Sequence, residues 1–215
     1  MNEAERLFEA IRKGNADEVS DLLGGDVTLL QSTRSGVSGV RIALYHRHPE
    51  IAQLFVARGA RLDVFDASAL GETARLRDLL AADPALANAV ASDGFTPLGL
   101  ASFFGHPEAA KLLLATGADP NFAAQNSTRV APLHSAVAGG NVEIVRELLA
   151  RGADVHARQD VGFTALHGAA AEGGEEMIRL LLDHGADPAA KNDAGKTPAD
   201  LARERGREKA VALLS

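Results

Sequence analysis

One phrase returns along this 215-residue chain at a nearly fixed interval. Asp93 to Asn121 reads DGFTPLGLASFFGHPEAAKLLLATGADPN, Val130 to His156 reads VAPLHSAVAGGNVEIVRELLARGADVH, and Gly162 to Pro188 reads GFTALHGAAAEGGEEMIRLLLDHGADP; a further copy opens at DAGKTPADLARERG. Marking each copy at its inter-helix turn gives Gly14, Arg47, Gly71, Gly105, Gly140, Gly173 and Gly206, with steps of 33, 24, 34, 35, 33 and 33 residues. A period of this length restricts the fold more than any other feature here. One short unit cannot bury its own apolar stripe, so such units must stack into a continuous core with polar units at the two ends.

Each copy carries its own punctuation. The hydroxyl of Thr96 can cap a helix whose first amides lack partners, and Pro97 at the first helical position sacrifices a donor that has no partner anyway. Gly105 breaks that helix, Pro107 starts a second with apolar residues at helical spacing, and Gly117 ends it, as Gly59, Gly152 and Gly185 do elsewhere. Small residues such as Ala101, Ala136 and Ala169 recur on the first helix and allow paired helices to approach closely. Each unit therefore reads as an antiparallel helix pair with an extended turn leading to the next.

Period, helix punctuation and the variants TPLG, APLH, TALH and TPAD of a Thr-Pro-Leu-His signature together resemble the ankyrin-repeat family. The likeness covers essentially the whole chain; it is strongest from Asp93 to Leu214 and degenerate before that. It implies an all-α solenoid of about seven stacked helix-turn-helix units with β-turn fingers. The expected organisation is one domain over residues 1–215, with units near 1–34, 35–61, 62–92, 93–127, 128–160, 161–192 and 193–215. The end units carry the expected polar residues, Glu5, Arg6, Glu9, Arg12 and Lys13 at one end and Arg203 to Lys209 at the other. The short step between Arg47 and Gly71 leaves GARLDVFDAS no room for a projecting hairpin, so a finger is expected to be missing there. A tolerated loop deletion accounts for this; the functional alternative is a gap that admits a partner or a kink between residues 60 and 66. The segment FAAQNSTRV lengthens the finger before the fifth unit by one or two residues.

Composition removes many other readings. There is no cysteine, hence no disulfide framework, Cys-ligated metal or thiol nucleophile. Lys plus Arg number 22 against 29 Asp plus Glu, a net charge of −7 that gives no sign of a basic face for nucleic acid. No uncharged apolar run approaches the roughly 20 residues that cross a bilayer, and the N-terminal residues show no secretory signal. The expected protein is cytoplasmic and monomeric, without nucleic-acid or membrane partners and without a cofactor.

Candidate chemistry dissolves on inspection. His134 and His167 occupy the His of the repeated phrase, so they sit on stacked helices about 8–10 Å apart. That is too far to share one metal ion; both are expected to hydrogen-bond finger backbone. AKNDAGKT ends like a phosphate-binding loop but has Ala190 where glycine is needed and no strand before it. GVSG, Gly36 to Gly39, does not complete a nucleophile elbow, and Asp119, Asp154 and Asp187 belong to a turn that the repeats share. No catalytic or metal-binding residue is expected.

The aromatics are more informative: one Tyr and eight Phe, without Trp. The resemblance implies a concave face built from the fingers and the residues just before each inter-helix turn, where partners dock. Carried over by position, it presents Tyr45, His46, Phe95, Phe103, Phe104, Phe122 and Phe163, with Arg129, Arg158 and Asp160 as a polar rim. Exposed aromatics with polar neighbours are what binding hot spots are made of. The expectation is a protein-protein interaction module that performs no chemistry and binds an unknown protein partner. A host-directed bacterial effector is the variant of that reading, and a small-molecule-binding or enzymatic protein is the competing class.

Overall fold

The computed structural model describes residues 2–215. Its α-helices follow one another in pairs: α1 (Glu3–Lys13) with α2 (Ala16–Gly25), α3 (Gly39–Tyr45) with α4 (Pro49–Ala57), and α5 (Val64–Leu70) with α6 (Thr73–Ala82). The remaining pairs are α7 (Pro97–Phe104) with α8 (Pro107–Ala115), α9 (Pro132–Ala138) with α10 (Val142–Ala150), α11 (Ala165–Glu172) with α12 (Glu175–Asp183), and α13 (Pro198–Glu204) with α14 (Glu208–Leu213). Each first helix packs on the first helix of the next pair, which makes the molecule an all-α solenoid.

The caps follow from the residues that the repeat supplies. Thr96 Oγ1 accepts from Gly99 N at 3.0 Å, satisfying an amide that α7 itself cannot. Asn2 and Glu5 close a reciprocal capping box on α1, and Thr197 with Asp200 does so on α13. All seven residues at the inter-helix turns take positive φ, and six of them are glycine. Gly71, at φ +72°, is required twice over, because a Cβ there would also lie 2.5 Å from the His106 ring of the next unit. Arg47 holds φ +63° without being glycine, a costly conformation for a residue with a side chain.

Fingers connect the pairs. The first is a minimal hairpin, β1 (Thr33–Arg34) antiparallel to β2 (Val37–Ser38). Later fingers turn back through Ala91 N to Phe95 O, Ala124 N to Val130 O, Gln159 N to Phe163 O and Asn192 N to Lys196 O, at 2.9–3.0 Å. Neighbouring fingers are tied to one another by Gln125 N to Gly94 O, Asp160 N to Thr128 O and Asp193 N to Val161 O, at 2.8–3.1 Å. Behind them, Asn88 and Asn121 each clasp the following Gly-Ala-Asp turn. Asn88 bonds both Gly117 O and Asp119 N at 2.8 Å, and Asn121 bonds Gly152 O at 3.0 Å and Asp154 N at 2.7 Å.

Between α4 and α5 there is no hairpin: the chain passes from Gly59 straight to Asp63, which caps α5 by accepting from Asp66 N at 2.7 Å. The apolar interior divides at the same place. One cluster gathers buried residues from Leu7 to Leu62, the other those from Val64 to Leu214. Across the division α4 and α6 make only marginal contact. With its own finger absent, the third unit lets the fingers on either side meet, and a Cβ at Gly36 would lie 2.6 Å from Ser92 Oγ.

Candidate functional site

A groove of about 560 Å³ runs along the first helices and fingers of the fourth to sixth units. Its lining is mainly apolar: Tyr45, Phe95, Phe103, Val130, Val137 and Phe163 form the walls over a floor of small residues, among them Gly99, Gly168 and Ala138. The floor follows from the small residues that let first helices pack closely. Gly139 at the end of α9 shows how tight that approach is, since a Cβ there would collide with Phe103 O. Glu172 and Arg205 close one end of the groove as an exposed ion pair at 3.6 Å.

The aromatic residues form a chain. Tyr45 lies against Phe104 at a centroid distance of 6.0 Å and against Phe95 at 6.4 Å, and Phe104 meets Phe103 edge-on at 5.2 Å. These separations suit offset and edge-to-face ring pairs. Between α3 and α7, helix α5 carries the small buried residues Ala67, Ser68 and Ala69. Phe103 is 49% exposed, unusual for a large apolar side chain in so apolar a setting.

Tyr45, Phe95, Phe103 and Phe163 thus come together in the groove, as their positions in the repeat suggest. Phe104 is half-buried behind Tyr45 and Phe103 and supports them. His46 is exposed and Phe122 half-buried, both outside the groove lining. Arg129 and Asp160 are exposed on their fingers, next to the lining residues Thr128 and Gln159. Arg158 is not free: its guanidinium donates to Lys191 O at 2.9 Å and lies 3.5 Å from Asp193, which holds two fingers together.

The two signature histidines diverge. His167 meets the expectation, with Nε2 3.1 Å from Lys196 O in the next finger and Nδ1 bonded within the Thr164 capping box. His134 does not. Its ring is turned towards the backbone of Phe163 and Ala157, but neither nitrogen completes a hydrogen bond. Burial holds both below the ordinary imidazole value of 6.5, and His106 likewise.

At the missing finger the structure adds a cluster not anticipated from the sequence. Arg41, 2% exposed, donates through Nε to Asp66 Oδ1 at 3.0 Å. Its other nitrogens lie 3.4 Å from Asp93 and 3.8 Å from Asp63, and its guanidinium carbon sits 5.3 Å from the centroid of the Phe65 ring. Ser38 donates to Asp66 at 2.6 Å and Tyr45 donates its phenol to Asp93 at 2.8 Å. Burial, and then the nearby charge of Asp63, push the Asp66 carboxyl above its ordinary range; burial and then Asp93 push the Tyr45 phenol up. A signal was available. Ser38-Gly39-Val40-Arg41 aligns with Thr164-Ala165-Leu166-His167, and Asp63-Val64-Phe65-Asp66 aligns next. The signature His place therefore holds opposite charges in adjacent units.

Among the described residues no helix is long and apolar enough to cross a membrane, and no group of three or more acidic or histidine side chains is placed to hold a metal ion. Comparison with known proteins agrees with the architecture. The family model "Ankyrin repeats (3 copies)" matches residues 7–124, 64–159 and 133–215. Similar proteins include "Ankyrin repeat and SAM domain-containing protein 6" of Mus musculus, 39% identical over 106 residues, which is 49% of this chain and 12% of the relative. "Putative palmitoyltransferase ZDHHC13" of Danio rerio is 31% identical over 163 residues, 74% of this chain and 21% of the relative. "Probable E3 ubiquitin-protein ligase XBOS31" of Oryza sativa subsp. japonica is 39% identical over 94 residues, 43% of this chain and 21% of the relative. The matched stretches thus span about an eighth to a fifth of these relatives' lengths.

Proposed function

This chain belongs to the ankyrin-repeat family, whose stacked units serve as protein-protein interaction modules, and on that premise we propose that it grips a segment of a partner protein in the groove of its fourth to sixth units without chemistry of its own. The observation that carries the reading is Phe103: a half-exposed ring in an apolar groove, backed by Phe104 and flanked by Tyr45 and Phe95. A partner side chain seated there covers apolar surface that the stack already holds rigid, so little ordering entropy opposes docking. Arg129 and Asp160, exposed beside the lining, supply a polar rim that favours one partner over another.

The test is a titration of the natural partner, isolated by affinity capture from the native organism, against the wild-type chain and two variants. Phe103→Ala weakens binding by roughly 1–3 kcal/mol and leaves the thermal midpoint of the free protein nearly unchanged. His46→Ala, exposed but outside the groove, leaves affinity as it was. Unchanged affinity in Phe103→Ala removes the groove as the binding site, and a stability loss in the free protein as large as the loss of affinity assigns Phe103 to the core instead.

A further inference from the structure

Every interface from the fourth unit onward is closed by a main-chain bond between neighbouring fingers, but among the described residues none joins the 33–38 finger to the 91–95 finger. There the closure is made by side chains: Arg41 and Tyr45 from α3 reach Asp93 in the finger beyond, and Arg41 reaches Asp66 on α5. The fully buried residues of the two apolar clusters part at the same point, between Leu62 and Val64, with the half-buried Leu70 of α5 reaching back across the division, and α4 barely touches α6.

We propose that the chain consists of two cooperative blocks, residues 2–62 and 64–215, latched at the missing finger by Arg41 and its carboxylates, and that opening the latch takes apart the Tyr45 end of the groove. In a solenoid each unit is stabilised by its own contacts and by its interfaces with neighbours. The interface with the least apolar contact is therefore where the stack separates first. The latch substitutes a buried ion pair for that contact, and removing one member leaves the other's charge in the interior without its counterion. Tyr45 belongs to the first block, whereas Phe95, Phe103 and Phe104 belong to the second, so their ring contacts exist only when the latch is shut. This holds whether or not the groove takes a protein partner.

The chain carries its own probe. Tyr45 is the sole tyrosine and there is no tryptophan, and a phenol bonded to a carboxylate is quenched until that bond breaks. Urea unfolding of the full chain, followed by tyrosine emission and by far-ultraviolet circular dichroism, should give an emission transition at lower urea than the main loss of helix. Coincident transitions would mean one cooperative unit and would overturn the proposal. In hydrogen exchange, Arg41→Leu should speed exchange of buried amides in residues 3–62 at least about tenfold while those in 97–183 stay within about twofold. Equal acceleration of both regions, or of neither, overturns the latch. If that variant does not fold, the two wild-type transitions decide the matter alone.

Discussion

The interface between the sixth and seventh units and the interface between the second and third solve one problem in different ways. In both, a side chain at the third position of the first helix faces the following unit. In the sixth unit that side chain is the neutral imidazole of His167, and it finds the carbonyl of Lys196 in a finger that main-chain bonds already hold in place. At the second unit the facing finger is absent, and the same position carries Arg41, whose longer fork reaches carboxylates on α5 and on the finger beyond. An imidazole matches one carbonyl; a guanidinium can bridge a wider gap and satisfy several acceptors at once. The cost is a buried charge that depends on every partner staying in place.

Removing Arg41 should have the largest effect on this contrast. Arg41→Leu is expected to cost about 3–5 kcal/mol in the urea transition reported by Tyr45, because Asp66 and Asp93 are left without their cation. Adding Asp66→Leu should recover part of that loss; a double variant that costs the full sum of the two singles would show that the pair is not coupled. The histidines come next. His167→Leu should lose about 1–3 kcal/mol in the main helical transition, since Lys196 O and the Thr164 cap lose their partner, whereas His134→Leu should be nearly neutral because it removes no hydrogen bond. Equal losses in the two would place His134 in a finger bond after all.

A smaller effect is expected from pH. His106, His134 and His167 all lie after residue 64, with folded-state values below 6.5. As pH falls below 6.5 the unfolded chain takes up protons that the folded chain refuses, so stability contributed by these groups is present above that value and declines towards their folded values. Asp66 has the opposite sign. Its folded value lies above the ordinary 3.8, so acidification through the range from that raised value down to 3.8 relieves the cost of carrying its charge. Between about pH 7.5 and 5.5 the main helical transition should therefore weaken more than the Tyr45 transition. Equal weakening of both transitions would show that these histidines do not distinguish the blocks.

Much of the site was legible because the repeat assigns each residue a place. Phe103 stands just before an inter-helix turn, and a helix of fixed pitch directs that place outward whatever surrounds it. Phe122 and His46 illustrate the limit: position in the unit offered them to a partner, but neither lines the groove that the neighbouring units enclose. Arg158, placed on the polar rim by its position in the unit, also donates to the Lys191 carbonyl of the next finger. Each of these outcomes depends on a contact with another unit, which no local spacing records.

By itself, the sequence determined the helices, their order and their stacking, because caps, glycine turns and the apolar period act within a few residues of where they are written. It also determined that a finger is absent after Gly59, since the chain there is too short to make one. What fills the gap was decided only in three dimensions. Arg41 meets Asp66 across 25 residues and Asp93 across 52, and only the packing of α5 on α3 and the approach of the finger beyond bring those carboxylates to the guanidinium. A charge in the place of the signature histidine has no assigned partner until the stack is built, and burial then makes the pairing obligatory.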